Sequence, residues 1–160
     1  MSQIRQNAFC QLSLDRSSLT REDDNLQQKY LLSKQTKHLI LQNGKISITN
    51  QAYFLPETFH ERLFLPNCAP KRHIFLGLDT AQIAYFAWDI DSSPNPSVFT
   101  EIDQNWQDLR TIMLGTMDAE IATLFAYAKA LLHWQKHSAF CPVCGNETKH
   151  TRGGHAAVCQ

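Results

Sequence analysis

Hydrophobic and polar positions divide most of this chain into short strand-like runs and one long helix-like run. The strand-like runs are rich in β-branched and apolar residues and are bounded by turn residues, as strands of a small sheet are. Asn43-Gly44 joins the first two runs, and this dipeptide favours a tight hairpin because both residues tolerate positive φ. Asp79-Thr80 lies between the last two, so the pattern predicts two hairpins. Their strands are predicted at 37–42, 45–50, 73–78 and 82–90.

Weaker patterns surround the hairpins. In the second strand Ser47 and Thr49 alternate with isoleucines, which predicts one solvated face. A short strand is predicted around Phe9 to Leu14, and a short helix within 22–34. The prolines of segment 51–72 indicate connector or edge structure.

The helix-like run is predicted at 118–137. Its apolar residues recur at helical spacing, and Thr116 or Asp118 can cap its first turn. Alanines and Trp134 add apolar surface beside this stripe, so we expect the helix to be buried on more than one side and the protein to form a homodimer. The stripe consists of Ile121, Leu124, Phe125, Ala128, Leu131 and Leu132.

Composition limits the possible classes of protein. Hydrophobic residues make up 43% of the 160 residues and charged residues 19%, which is ordinary for a globular chain with a real core. The formal net charge is zero, which argues against direct nucleic-acid binding. No apolar run reaches the ~18–20 residues that span a bilayer, and the N-terminus lacks a signal-peptide core, so a cytoplasmic location is expected. The predicted fold class is α+β: a small, mostly antiparallel sheet of two hairpins packed by a long C-terminal helix.

Three of the five cysteines, Cys141, Cys144 and Cys159, have the spacing of zinc ligands. Two residues separate the first pair, so that both sulfurs can face one ion, and Gly145 supplies backbone freedom after the knuckle. Gly153-Gly154 predicts a hairpin that returns the chain to the third cysteine. We therefore predict a structural Zn²⁺ site in a truncated zinc ribbon.

The fourth ligand is open at this level. His150 and His155 lie between the cysteines, and each is either a substitute ligand or a solvated loop residue. A redox pair is disfavoured because Cys141 follows a helix rather than a strand. Cys10 and Cys68 are expected to be free thiols, buried at least in part.

These features together resemble the N-terminal half of the NADH pyrophosphatase branch of the Nudix hydrolases. The stretches that carry the resemblance are "HIFLGLDTAQIAYFAWDI", "WQDLR" and "EIATLFAYAKALLHWQKHSAFCPVCGNETKHTRGGHAAVC". In that family an apolar hairpin precedes an Ala/Leu-rich helix, and a knuckle, a Gly-Gly turn and a Cys-x-x-Cys pair follow.

The resemblance implies an organisation. Residues 1–138 would form the N-terminal domain and 139–160 a partial zinc ribbon, with the fourth cysteine two positions beyond Gln160. The catalytic Nudix domain, which binds Mg²⁺ or Mn²⁺, would lie outside this sequence. None of the six glycines is followed six residues later by Glu, so the Nudix box is absent and no catalytic residue is assigned.

Two functions remain open from the sequence. The first is the scaffold and dimerisation region of a hydrolase that cleaves the diphosphate of NADH, giving NMNH and AMP, or acts on NAD-capped RNA. This chain would then be inactive alone and would meet the dinucleotide only through the catalytic domain. The alternative is a self-contained zinc-binding protein-interaction module.

Overall fold

The computed structural model describes residues 12–48, 53–99, 105–113 and 118–160. A five-stranded sheet forms its centre, and a separate two-stranded hairpin lies near the C-terminus. No helix within these ranges is long and apolar enough to cross a membrane. The strands of the sheet are β1 (Lys37–Gln42), β2 (Lys45–Ile48), β3 (Arg72–Leu78), β4 (Ala84–Asp89) and β5 (Asn105–Gln107), and the hairpin consists of β6 (Thr148–Thr151) and β7 (Ala156–Cys159).

The sheet has the strand order β3-β4-β1-β2-β5. Both predicted hairpins are confirmed, since β1 pairs antiparallel with β2 and β3 pairs antiparallel with β4. Asn43 and Gly44 both have positive φ, as a tight hairpin turn requires. The two hairpins join through a parallel pairing of β1 with β4, and β5 extends the sheet beyond β2. The sequence pattern predicted neither the parallel junction nor β5.

Five α-helices are described: α1 (Ser18–Glu22), α2 (Asp24–Leu31), α3 (Glu57–His60), α4 (Leu109–Met113) and α5 (Ala119–His137). The two predicted helices correspond to α2 and α5. Asp118 caps α5, because its carboxylate accepts hydrogen bonds from the N–H groups of Glu120 and Ile121. Thr116, the other predicted cap, lies outside the described ranges. Lys136 and His137 lie in the last turn, where positive charge is favoured.

The sheet is buried on both faces, which explains why its strands read as nearly continuous apolar runs. Leu39 and Leu41 face α5, whereas Ile40, between them, faces the core on the opposite side. The α5 side contains Leu39, Leu41, Ile46, Ile74, Leu76, Ala87, Leu124, Phe125, Ala128 and Leu132. The opposite side contains Leu31, Ile40, Leu63, Phe75, Phe86, Trp88, Ile90 and Phe99.

The structure differs from two of the predictions made from the weaker patterns. The prediction of a solvated face on β2 is wrong at Ser47, which is only 5% exposed, because β5 pairs with β2 and brings Trp106 opposite it. Thr49, on the same predicted face, lies outside the described ranges. The strand around Phe9 to Leu14 falls partly on residues 1–11, outside the described ranges. Within the described part, Leu14 precedes a single bridge between Asp15 and Leu78 rather than a strand.

A chain of aromatic nitrogen atoms is buried on the face away from α5. The indole N–H of Trp88 donates to Nδ1 of His38 at 2.9 Å, and Nε2 of His38 contacts Nε2 of His60. Because an indole nitrogen can only donate, Nδ1 of His38 must accept, and a neutral His38 carries its proton on Nε2. That proton is then donated to His60. A second proton on His38 would have to sit on Nδ1, where it would break the hydrogen bond to Trp88.

This environment opposes protonation of His38. Burial, followed by the nearby His60 and His73, lowers the pKa of His38 from 6.5 to about 3. Burial also lowers the pKa of His60, against the opposing effect of Glu57 and Glu61, and burial lowers the pKa of His73. All three imidazoles are therefore neutral in the folded protein at neutral pH.

We predict that acid destabilises the fold below about pH 6.5. At such a pH, His38 binds a proton in the unfolded chain but stays neutral in the folded protein, so protonation favours the unfolded state. The contribution of His38 to the free energy of unfolding is fully present above its unfolded pKa of 6.5. It decreases as the pH falls from 6.5 towards the folded pKa of about 3. At pH 5, His38 alone accounts for a loss of about 2 kcal/mol in the free energy of unfolding. Urea unfolding at pH 7.5 and pH 5 measures this loss.

The variant His38→Gln removes the titrating group, so its loss between the two pH values should be smaller. Gln28→Ala, at an exposed position of α2 whose side chain does not titrate, is the control and should retain the wild-type loss. An equal pH dependence in the two variants would show that His38 is not responsible.

Candidate metal centre

The first half of the site is a tight turn that starts at Cys141, three residues after the Ser138 cap of α5. The N–H of Cys141 donates to the carbonyl of Asn146 at 2.7 Å, and the N–H of Gly145 donates to the carbonyl of Cys141 at 2.9 Å. Gly145 has φ +75°, a left-handed conformation that favours glycine. This turn fixes Cys141 and Cys144 on the same side of the backbone, as the knuckle spacing predicts.

The second half of the site is the β6–β7 hairpin. Its turn contains three consecutive left-handed residues, Arg152, Gly153 and Gly154, with φ of 53°, 62° and 86°. The predicted Gly-Gly hairpin is therefore confirmed. In the register of the hairpin, Thr148 pairs with Cys159, so the last residue of β7 returns to the level of the knuckle.

The three predicted cysteines converge. The Sγ atoms of Cys141, Cys144 and Cys159 all lie within 4.8 Å of one another, and those of Cys144 and Cys159 are 3.3 Å apart. Thiolates bound tetrahedrally to one zinc ion, each about 2.3 Å from it, lie about 3.8 Å apart. The spacing of the sulfur atoms and the all-sulfur donor set therefore fit a zinc ion. Cys144 and Cys159 are exposed to solvent.

The protonation of the thiols differs within the cluster. Hydrogen bonds from the backbone N–H groups of Cys144 and Val143 lower the pKa of the Cys141 thiol to about 7. Hydrogen bonds with the neighbouring Cys144 and Cys141 sulfurs raise the pKa of the Cys159 thiol to about 11. Three thiolates this close repel one another, so full deprotonation needs a cation among them.

Neither candidate histidine joins the sulfurs in the part of the chain that the structure describes. His150 lies on β6, where its Nε2 is 3.2 Å from the hydroxyl of Ser138. His155 donates from Nε2 to the carbonyl of Phe75 at 2.7 Å, so its Nδ1 is the acceptor that faces the hydroxyl of Tyr127 at 3.4 Å. The view of both as solvated loop residues is wrong as well, because His150 is in a strand and both rings are partly buried.

Cys68 and the three tryptophans lie elsewhere. Cys68 is a buried free thiol, as expected, and Cys10 falls outside the described ranges. Trp88 is in the core, Trp106 packs at its margin, and Trp134 is 37% exposed beside His150.

The hairpin turn is attached to the outer edge of β3. The N–H of Phe75 donates to the carbonyl of Gly153 at 3.0 Å, and the carbonyl of Phe75 receives the His155 bond. A Cβ on Gly154 would lie 2.7 Å from the backbone oxygen of His73, a distance that real Cβ atoms do not show. Glycine is therefore required at this position both for its positive φ and for the close approach to β3.

One residue of this attachment, Gln135, was missed at the level of sequence. It is 1% exposed and follows Leu132 and Ala128 on the apolar face of α5. The sequence did contain a signal for it, because Gln135 is a polar residue at a position that continues the apolar stripe of the helix. Its side chain donates to the carbonyls of both His73 and Gly154.

A comparison with known protein families finds a match to the domain that precedes the knuckle. A family model described as "NADH pyrophosphatase-like rudimentary NUDIX domain" matches residues 28–134, from α2 to near the end of α5. The match covers more than half of the chain and ends before the knuckle. The chain therefore belongs to the family of NADH pyrophosphatase-like rudimentary NUDIX domains.

Proposed function

We propose that this chain is the non-catalytic, zinc-stabilised N-terminal part of a Nudix hydrolase of the NADH pyrophosphatase type. The observation that carries the proposal is the convergence of Cys141, Cys144 and Cys159 directly after a domain of this family. A four-coordinate zinc ion supplies a cross-link between the knuckle and the hairpin. The fourth ligand would be water or a residue beyond those described here.

The residues of this chain would then serve the metal centre in distinct ways. Cys141 and Cys144 hold the ion from the helix side, and Cys159 holds it from the hairpin. The backbone N–H groups of the knuckle stabilise the Cys141 thiolate. Because such a site does not exist in an unfolded chain, metal binding would add to the stability of the hairpin.

The catalytic step is assigned to a Nudix domain outside this sequence. There, Mg²⁺ or Mn²⁺ would assist hydrolysis of the diphosphate of NADH, giving NMNH and AMP, and NAD-capped RNA is a second possible substrate. The absence of a Nudix box from residues 1–160 supports this division of labour.

We also propose that the protein is a homodimer. In α5, Ala126 is only half-buried and Ala130 is exposed, and the exposed indole of Trp134 lies one turn further on. This apolar helix surface supports a contact with a second copy of the chain.

Zinc content tests the metal centre. Protein purified without chelator should contain one zinc ion per chain, and Cys141→Ser, Cys144→Ser or Cys159→Ser should each lower its zinc affinity at least tenfold, because each removes one thiolate. Elemental analysis and competition with a chromophoric chelator measure content and affinity. Cys68→Ala, at the buried thiol outside the cluster, is the control and should bind zinc as the wild type does. Equal affinity in all four variants would contradict the site.

The division of labour is tested by an NADH hydrolysis assay with Mg²⁺. We expect no turnover by residues 1–160, with or without bound zinc, because the chain lacks the glutamates of the Nudix box. Measurable, protein-dependent release of NMNH and AMP would contradict the assignment.

Dimerisation is tested by light scattering across a dilution series. We expect the mass of a dimer at high concentration, and Ala130→Glu should shift the equilibrium towards monomer, because it places a charge on the exposed face of α5. Gln28→Glu, exposed on α2 at the other side of the sheet, is the matched control and should leave the dimer intact. A wild-type monomer at the highest concentration would refute the proposal.

A further inference from the structure

Gln135 occupies an unusual position for an uncharged polar residue. It lies within the last turns of α5, it is buried, and its neighbours on the same helix face are apolar. Burial of an amide without hydrogen bonds is costly, so its contacts need an explanation.

The amide nitrogen of Gln135 bridges two backbone carbonyls from different parts of the chain. It lies 3.2 Å from the oxygen of His73 in β3 and 3.0 Å from the oxygen of Gly154 in the hairpin turn. Each of its two hydrogens therefore has an acceptor. Its Oε1 is buried and has no hydrogen-bond partner among the described residues, so the two donated bonds are what hold the side chain.

Gln135 and Gly154 fit together closely. A Cβ on Gly154 would lie 2.4 Å from Nε2 of Gln135. The amide of Gln135 therefore occupies a position that any side chain at residue 154 would block.

This bridge places both halves of the cysteine cluster relative to the same helix. The knuckle with Cys141 and Cys144 begins just after α5 ends at His137. Cys159 comes from β7, which starts two residues after the Gly154 carbonyl that Gln135 holds. If the turn shifted, β7 would shift with it, and Cys159 would move relative to the knuckle.

We propose that Gln135 is a positioning residue for the metal centre, which holds the hairpin turn on β3 so that Cys159 meets the Cys141-Cys144 knuckle. This inference rests on the proposed zinc binding. Because coupling between two sites is reciprocal, seating of the turn raises zinc affinity by the same factor by which zinc favours the seated turn.

Three variants test this role through zinc affinity, measured by chelator competition on chains shown to be folded by circular dichroism. Gln135→Met keeps the length of the side chain and removes both donors, and we expect at least a tenfold loss of zinc affinity. Gln135→Glu keeps the shape and, when ionised, directs a negative charge at two carbonyl oxygens. Lys136→Met, at the exposed neighbouring residue, is the matched control and should bind zinc like the wild type.

The pH dependence distinguishes positioning from a general loss of stability. The zinc affinity of Gln135→Glu relative to wild type should fall further at pH 8 than at pH 6, because only the protonated carboxyl can donate to a carbonyl. Wild-type affinity in Gln135→Met and Gln135→Glu at both pH values would overturn the role of Gln135. Failure of the wild-type chain itself to bind zinc would instead refute the proposed metal centre.

A measurement on the wild-type chain covers the case in which the variants do not fold. Zinc should slow hydrogen exchange of the Phe75 amide, which donates to Gly153 in the seated turn. The same exchange rate with and without bound zinc would overturn the linkage between the metal centre and the turn.

Discussion

The attachment of the Gly153-Gly154 turn to the outer edge of β3 is the contact on which the proposed metal centre depends. An edge strand exposes unpaired backbone groups, which must be covered or they invite pairing with other chains. Along β3, His73 and Phe75 bond to Gln135 and to the hairpin turn, and Leu78 exchanges two hydrogen bonds with Asp15. The hairpin that carries Cys159 thereby also closes the sheet edge.

Helix α5 connects this edge to the rest of the domain. Its apolar face packs on one side of the sheet, and its C-terminal end leads directly into the knuckle. Both halves of the cysteine cluster are therefore attached to the sheet, the knuckle through α5 and the hairpin through β3. The proposed function gives this domain the role of support rather than of catalysis, since residues 1–160 contain no Nudix box.

The elements predicted correctly depend on local signals. Asn43-Gly44 specifies its hairpin through the conformations of two adjacent residues, and the knuckle places Cys141 and Cys144 together by spacing alone. The elements that were missed depend on contacts between distant parts of the chain. The burial of Ser47 requires β5, and the parallel pairing of β1 with β4 requires both hairpins to be in place. The bonds of His155 to Phe75 and of Gln135 to Gly154 likewise join segments that no local pattern relates.

The most direct test compares two glycine substitutions by hydrogen exchange. Gly154 and Gly145 have similar positive φ, +86° and +75°, so alanine should cost each about 1–2 kcal/mol in backbone strain. Only at Gly154 would the new Cβ collide with β3 and Gln135, because nothing lies within 4 Å of a Cβ at Gly145. We predict that Gly154→Ala removes the protection of the Phe75 amide, whereas Gly145→Ala retains it. Full protection of this amide in Gly154→Ala would show that the hairpin turn does not hold the edge of β3.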